Sequence, residues 1–326
     1  MNLDEKILDA LRPAGEMYTS GEELCKLSGI SRAAIWKRME KLREEGYEIE
    51  ASPHLGYRLF RIPDAMIPCE IKWKLKTRVL GREVISYKKV DSTNVVAYEL
   101  AEKGLKEGAV IFAEEQAKGK GRLGRTWNSQ ACCGIYMSCI LRPMMAPNEI
   151  PKITLIAAVA VAKAIRGFTG LDAMIKWPND ILINGRKVCG ILTEMKAEQD
   201  RVDFIILGIG VNVNTPASGL PAGGSSLSDE SHKIGRTGGI SRVDLAKRIL
   251  ESLEEHYNIL KNRGSPAIID EWKGLSAMLG SRVKITLPAR SFEAHAHDID
   301  PDGALVVRLD SGVLEKVTSG DVMMVR

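Results

Sequence analysis

The sequence is 326 residues long, yet nothing in it approaches the roughly 20 uninterrupted apolar residues that a membrane-spanning helix needs. The best stretch, 156–165, is short and carries Lys163. The opening Met1-Asn2-Leu3-Asp4-Glu5-Lys6 lacks the basic-then-apolar profile of a secretion signal, so the chain reads as cytoplasmic, with no membrane partner. No C-x-x-C pair occurs, and no histidine stands at zinc-ligand spacing from a cysteine. The six cysteines (Cys25, Cys69, Cys132, Cys133, Cys139 and Cys189) sit among apolar neighbours and are expected as reduced, buried thiols, which excludes a disulfide scaffold. His295 and His297 alternate on a strand pattern with no third ligand nearby, and are expected at the surface. Charge of one sign is missing too. Lys and Arg number 46 against 42 Asp and Glu, a net +4, so a nucleic-acid partner has to be argued from a local motif.

The length allows two or three domains, and a hydrophobic fraction of 44% suffices for at least one sizeable core. Near the N-terminus, Leu3, Ile7, Leu8 and Leu11 repeat at helical spacing until Pro13 and Gly15 end the run. Ser20-Gly21-Glu22-Glu23 is a capping box that opens a second helix, expected to bury Leu24 and Leu27, and Gly29 makes the turn after it. Ser31 caps a third helix with Ile35, Met39 and Leu42 on its core face and Gly46 at its end. Tyr47, Ile49 and Ala51 then alternate with polar residues, Pro53-His54-Leu55-Gly56 turns, and Tyr57 and Leu59 alternate again, giving a hairpin. Three helices and a wing make a winged helix-turn-helix, assigned to 1–65. Such a unit presents the N-terminal side chains of its recognition helix to base edges, here Ser31, Arg32, Ala33, Trp36 and Lys37. DNA contact is the favoured reading over a solvated face balanced by Glu40, Glu44 and Glu45, and an exposed Trp36 wants a partner, whether a thymine methyl, a base step or another domain.

From 84 to about 272, strand patterns (84–90, 109–114, 134–141, 173–176, 187–193, 202–211) mix with helical ones (94–103, 152–168, 242–262). Asn184-Gly185 between two apolar runs signals a hairpin, so the sheet is at least partly antiparallel and a doubly wound nucleotide fold is disfavoured. Lys118-Gly119-Lys120-Gly121-Arg122-Leu123-Gly124-Arg125-Thr126-Trp127 alternates glycines, which let backbone N–H groups approach an anion, with cations that neutralise it. It is not a P-loop, because the spacing fails and no Ser or Thr stands at the magnesium position; alone, it equally describes a surface loop. Asp91-Ser92-Thr93-Asn94 ends a strand and opens a helix, as a cleft-facing polar set or as a simple cap. Lys176-Trp177-Pro178-Asn179-Asp180 gathers a cation, an aromatic ring and a carboxylate, or is merely a turn built on Pro178. Lys187 begins an apolar strand, which is costly unless it meets an anion.

In this order, these motifs resemble the biotin protein ligases, and with the winged helix they resemble the bifunctional biotin ligase and biotin operon repressors of bacteria, over nearly the whole chain. The resemblance implies an ATP-dependent enzyme that forms biotinyl-5'-AMP and transfers biotin to a lysine of a biotin carboxyl carrier protein. It implies that Ser92, Thr93, Asn94 and Gln116 hydrogen-bond the ureido ring, that Lys187 holds the biotin carboxylate, and that Lys120, Gly121 and Arg122 close over the ligand. Arg122 and Arg125 then meet the phosphates of ATP, with Lys176, Asn179 and Asp180 around the adenylate and Mg²⁺, and Asn212 near the nucleotide. Lys187, Arg122 and Asp180 are the catalytic candidates, Asp180 as acceptor for the proton of the attacking lysine and as contact to the ATP-borne Mg²⁺; no tightly bound metal is expected. The sequence departs from the family's arginine-rich loop at Lys120 and Leu123; Lys keeps the charge without the planar fork, and Leu123 removes it.

The fold class expected is multidomain α+β: the winged helix, a central mixed α/β ligase domain at 66–275, and a small SH3-like β-barrel at 276–326. The barrel rests on a short helix at 266–272, strands at 283–287, 292–299, 304–309 and 313–317, and turns at Asp302-Gly303 and Ser311-Gly312. The aperiodic 215–239, rich in Gly and Ser, is a surface loop or a lid over the adenylate. Repression of biotin synthesis genes implies operator DNA as partner, with biotinyl-AMP as corepressor and a homodimer to read a two-fold site. A lipoate-type protein ligase is the enzymatic alternative, though the triple-glycine tract associated with that family is missing; a ligand-sensing DNA-binding regulator without catalysis is the other.

Overall fold

The computed structural model describes residues 2–12, 17–198 and 201–325. The chain separates into two compact units, Met1–Ala65 and Met66–Arg326.

In the first unit, α1 (Leu3–Leu11), α2 (Gly21–Ser28) and α3 (Arg32–Glu44) precede the hairpin of β1 (Glu48–Ser52) and β2 (Gly56–Arg61). Each helix start is chemically marked. Asn2 and Glu5 form the reciprocal capping box on α1, whereas at α2 Ser20 Oγ accepts from Glu23 N at 3.1 Å. Ser31 Oγ accepts from Ala34 N at 3.3 Å to cap α3. Ile35, Met39 and Leu42 are buried as their spacing requires, and Leu24 is buried on α2. Leu27 is not: it is 54% exposed, because eight residues make barely two turns and Leu27 falls off the core stripe that Leu24 occupies. Thr19 bridges Tyr57, adding an edge to the wing. Pro13 and Gly15, expected to end the first helix, lie outside the described residues.

The second unit runs through α4 (Pro68–Lys72), β3 (Val84–Val90), α5 (Thr93–Glu102), β4 (Val110–Gln116), β5 (Gly134–Leu141), α6 (Ile150–Thr169), β6 (Met174–Lys176), β7 (Asp180–Ile183), β8 (Arg186–Glu198) and β9 (Arg201–Asn212). It continues with α7 (Leu227–Lys233), α8 (Arg242–Arg263), α9 (Pro266–Gly274), β10 (Arg282–Thr286), β11 (Ser291–Ile299), β12 (Leu305–Arg308), β13 (Leu314–Val317) and β14 (Asp321–Met324). The central sheet has the order β3-β4-β5-β9-β8-β7-β6. Only β3 and β4 pair in parallel, joined through α5; the other neighbours are antiparallel, as the Asn184-Gly185 turn requires. Both turn residues have positive φ, 50° and 74°, the mirror-image turn that matches strand twist.

The sheet is covered on both faces, which is why β5 is buried at all eight positions. Ala97 and Ala101 of α5 pack with Ile111, Ile140, Phe204 and Ile206 on one face. On the other, α6, α8 and α9 join a larger core with Ile153, Ile156, Ile249, Leu253 and Trp272. Each fully buried Ile or Leu in this layer contributes roughly 1.5–3 kcal/mol, enough to fix a rigid frame whose strand ends carry the polar residues.

Two expectations need correction here. Residues 215–239 are not featureless, since they contain a 3₁₀ turn at Ala217–Gly219 and the helix α7, with Ser225, Ser226, Glu230 and Ser231 buried. The C-terminal segment is a five-stranded antiparallel sheet in the order β13-β12-β11-β10-β14, and among the described residues no pairing between β13 and β14 closes it into a barrel. Its last strand, β14, was not expected from sequence. All six cysteines are free, but only Cys69, Cys139 and Cys189 are buried; Cys25 and Cys133 are half-buried and Cys132 is exposed, the last two on a loop that leaves the sheet before β5. No helix among the described residues is long and apolar enough to cross a membrane.

Candidate active site

One cavity of about 690 Å³ opens where the ends of β3, β4, β8 and β9 meet the turn between β6 and β7. Ser92, Thr93, Asn94, Gln116, Lys120, Gly121, Arg122, Arg125, Lys176, Asn179, Asp180, Lys187 and Asn212, thirteen residues singled out in sequence for small-molecule binding, all line it.

At one end lies a hydrogen-bonded polar set. Ser92 occupies the N-cap position of α5, but its side chain makes no capping bond, so that hydroxyl is not consumed by the helix. Thr93 donates from its N and Oγ1 to Gln116 Oε1 at 2.8 and 3.1 Å, and Gln116 Nε2 donates to Ser129 Oγ at 2.8 Å. Ser138 Oγ stands 2.8 Å from Thr93 Oγ1 and 2.6 Å from Asn94 Oδ1, while Asn94 Nδ2 donates to Glu194 Oε2 at 2.7 Å. Donors and acceptors here are fixed in direction and mostly buried.

The glycine-basic segment between β4 and β5 folds back as a hairpin: Gln116 bridges Ser129, and Lys120 bridges Thr126. Gly121 N donates to Arg125 O at 2.7 Å and Trp127 N to Gly119 O at 2.8 Å. The amide of Gly121 is therefore engaged inside the hairpin, and Gly119 serves close packing: a Cβ there would stand 2.4 Å from Trp127 O. The two arginines reach across to other elements. Arg122 donates to Asn179 Oδ1 at 3.0 Å and to Gly320 O at 3.1 Å, and Arg125 to Asp321 Oδ2 at 2.6 Å. Burial pulls the Arg122 guanidinium below its ordinary pKa against the pull of Asp180 and Asp321; the hydrogen bond from Arg125 holds the Asp321 carboxyl below the usual carboxylate range. Leu123 is 71% exposed at φ 55°, on the outer tip of the loop.

The Lys176-to-Asp180 corner divides its labour differently from the sequence reading. Trp177 is buried, and its indole donates to Gly303 O at 3.0 Å, so it ties the corner to the C-terminal sheet. The ring that faces Lys187 is Trp127, with Lys187 Nζ 5.3 Å from its centroid. Asn179 Nδ2 donates to Ile191 O at 2.6 Å, and Lys187 Nζ lies 2.7 Å from Asp180 Oδ1. The anion that half-buried Lys187 meets is thus Asp180, and the proposed proton acceptor and the proposed carboxylate-binding cation form one ion pair.

Several contributors were missed in the sequence. A Cβ at Gly190 or Gly210, partners across β8 and β9, would approach Trp127 to 2.9 and 2.6 Å, so both glycines make room for that ring. The indole N–H of Trp127 is buried without a hydrogen-bond partner. Residues 220–224, inside the segment read in sequence as a loop or lid, form a further wall, and the unexpected Asp321, Met323 and Met324 of β14 complete the lining. The spacing of Gly208 and Gly210 inside an apolar strand was a legible signal; the arrival of β14 was not.

Around 220–225 the structure is held by polar groups. Lys187 N donates to Gly223 O at 2.9 Å and Ser225 N to Lys187 O at 2.8 Å, a parallel bridge centred on Gly224. Asn212 Nδ2 donates to Ser225 O at 3.1 Å. Burial raises the Glu230 carboxyl, but hydrogen bonds from Lys233, Ser225 and Asn184 outweigh it and hold it below the usual range.

In the first unit, Ser31, Arg32, Ala33, Trp36 and Lys37 are all exposed along one end and side of α3, Trp36 at 56%. Ser31 caps the helix, and Arg32 lies 4.0 Å from Glu22 in a solvated pair.

The chain matches the Biotin/lipoate A/B protein ligase family at residues 86–212, the Biotin protein ligase C terminal domain at 278–325 and an HTH domain at 4–58. It is 38% identical to the bifunctional ligase/repressor BirA of Bacillus subtilis (strain 168), covering 98% of both chains, and 28% identical to that of Escherichia coli (strain K12), covering 97% of this chain and 96% of the other. A solved biotin protein ligase from Aquifex aeolicus in complex with biotin and ATP superposes with a TM-score of 0.63 at 25% identity, over 75% of this chain and 99% of that one. With those similarities and this site, the chain belongs to the family of the bifunctional ligase/repressor BirA proteins.

Proposed function

We propose that this protein is an ATP-dependent biotin protein ligase and a DNA-binding repressor of biotin synthesis genes. The observation that carries the ligase reading is the single cavity in which a rigid donor–acceptor set (Thr93, Asn94, Gln116) faces the same space as Lys187, Arg122 and Arg125. A cyclic urea presents two N–H donors and one acceptor oxygen, which the amide and hydroxyl set matches without a charge. Lys187 then receives the carboxylate, and Arg122, Arg125, Lys176, Asn179 and Asn212 surround the nucleotide.

A carboxylate displaces pyrophosphate from ATP only when aligned with the α-phosphorus and when the repelling oxygens are neutralised. Lys187 can hold the carboxylate while Arg122 and Arg125 exchange Asn179, Gly320 and Asp321 for phosphate oxygens. The carrier lysine attacks the mixed anhydride as a neutral amine, and Asp180, released from Lys187 as that cation turns to the ligand, is placed to accept its proton. Magnesium would arrive on ATP, with Asp180, a carboxylate lining the same cavity, as the residue that would help to hold it and so neutralise phosphate charge. The acceptor is a lysine of a biotin carboxyl carrier protein. Residues 66–275 form the catalytic domain and 276–326 a C-terminal domain that supplies β14 to the site. In the winged helix, Ser31, Arg32, Ala33, Trp36 and Lys37 meet operator DNA, as a homodimer favoured by biotinyl-AMP.

Pyrophosphate release from ATP on adding biotin, run beside lipoate and octanoate, tests the reading. Biotin-dependent release that Lys187→Ala and Arg122→Ala abolish is expected; release with lipoate instead moves the protein to lipoate ligation, and the absence of release with any of the three acids leaves a ligand-sensing DNA-binding regulator.

A further inference from the structure

Glu230 is the most thoroughly enclosed carboxylate next to the cavity, yet it does not line the cavity. Its side chain has no exposed surface. Ser225 Oγ donates to it at 2.5 Å, Asn184 Nδ2 at 2.8 Å and Lys233 Nζ at 2.7 Å, and Arg186 Nη1 lies 3.7 Å away. These partners come from four places: Asn184 from the turn between β7 and β8, Arg186 from the first position of β8, Ser225 from the wall segment, and Lys233 from α7 itself. Arg186 Nη2 also donates to Gly224 O at 2.7 Å. Ser225 is fully buried: its N–H goes to Lys187 O, its carbonyl accepts from Asn212, and its hydroxyl lies between Glu230 Oε1 at 2.5 Å and Asp229 Oδ2 at 3.0 Å.

Stability alone is a poor reason for this design. Enclosing a carboxylate carries a desolvation cost that an apolar α7 face packed on the same loop would avoid, and its two cations stay partly in solvent. What a directional network adds is registry. Through Ser225 it ties the backbone of Lys187 on β8 to the side chain of Asn212 on β9, the two groups that bracket the wall.

We propose that Glu230 and Ser225 are positioning residues for acyl-adenylate formation, acting through Lys187 and Asn212 to fix residues 220–225 as a wall that holds the carboxylate-binding cation in register with the nucleotide end of the cavity. The inference rests on the adenylating reading of the site. Glu230→Gln keeps size and shape but turns an amide donor toward groups that are themselves donors. Ser225→Ala removes one hydroxyl.

The test is steady-state pyrophosphate release by the full chain and by Glu230→Gln, Ser225→Ala and the double variant, with melting curves for each and limited elastase digestion of the unliganded proteins. The expected result is a kcat lower by about ten-fold in each single variant, with KM for biotin within about two-fold, since misalignment at the reacting centre acts on the chemical step. The double variant falls no further than the worse single one, and elastase cuts 215–226 faster in all three. Full kcat in a folded Glu230→Gln, additive losses in the double variant, or a biotin KM that rises as much as kcat falls overturns the proposal. Should the wild-type chain release no pyrophosphate with biotin, the ligase reading fails, and unchanged elastase cleavage in the variants separately overturns the clamp; because Ser225 and Glu230 are both buried, a variant that fails to fold is replaced by Arg186→Lys at the partly exposed end of the network, which keeps the charge and loses the fork to Gly224.

Discussion

Gly208 pairs with Leu192 across β8 and β9, and a methyl group there would stand 2.2 Å from Asn94 Oδ1. Gly208→Ala must push Asn94 out of its bonds to Ser138 and Glu194, so biotin affinity is expected to fall by about ten-fold or more, the cost of stranding buried polar partners. Gly167→Ala on α6 meets nothing within 4 Å and is expected to leave binding unchanged while stabilising the helix by about 0.5–1 kcal/mol. Isothermal titration with biotin and a melting curve separate the two; equal behaviour of the two variants contradicts the packing argument. Asp321 gives a pH prediction. Its carboxyl is held low by Arg125, so the contact between the glycine-basic loop and β14 is fully formed at neutral pH and is lost as pH falls through the depressed value. In Asp321→Asn that part of the acid-side loss disappears, which melting temperatures from neutral to acidic pH will show.

Helix α3 behaves as an element whose two ends have separate jobs. Its C-terminal half is core, with Met39 and Leu42 fully buried, while its N-terminal turn is exposed and capped by Ser31. Ser31→Ala is expected to cost about 1 kcal/mol in the first unit. Arg32→Ala and Lys37→Ala cost little stability, since both side chains are solvated, but each lowers the salt slope of DNA binding by about one. A plot of binding against salt with operator DNA checks this; a slope unchanged by both substitutions means that these cations form a solvated face and the nucleic-acid contact lies elsewhere. The hairpin of 116–129 is the contrasting element. Its alternating glycines read in sequence as an anion cradle, whereas in the structure Gly119 makes room for Trp127 O and the Gly121 amide donates to Arg125 O within the hairpin.

At the scale of the whole molecule, the chain divides after Ala65, and the Aquifex ligase it superposes on is covered almost entirely by 75% of this chain. Removing residues 1–65 is therefore expected to leave biotin-dependent pyrophosphate release within about two-fold and to abolish DNA retardation, since each unit carries its own core. Loss of both activities in the shortened chain would show that the two units depend on one another for folding. The large core supports the site from behind: α6, α8 and α9 cover one face of the sheet from which the polar strand ends project.

Local chemistry was legible in the sequence. Caps such as Ser20 and Ser31, the Asn184-Gly185 turn, the amphipathic α3 and the thirteen cavity residues are set by side chains acting on their own neighbourhood or by motifs short enough to read. Tertiary structure decided what depends on distant partners. Whether Leu27 is buried, which tryptophan faces Lys187, and that β14 delivers Asp321 to Arg125, 196 residues away in sequence, follow from packing across the sheet. So does the ordering of 220–225, because its hydrogen bonds go to Lys187, Asn212, Arg186 and Glu230. A sequence specifies periodicity and propensity along the chain, whereas the partner of a buried charge or an unpaired strand edge exists only once the chain has closed on itself.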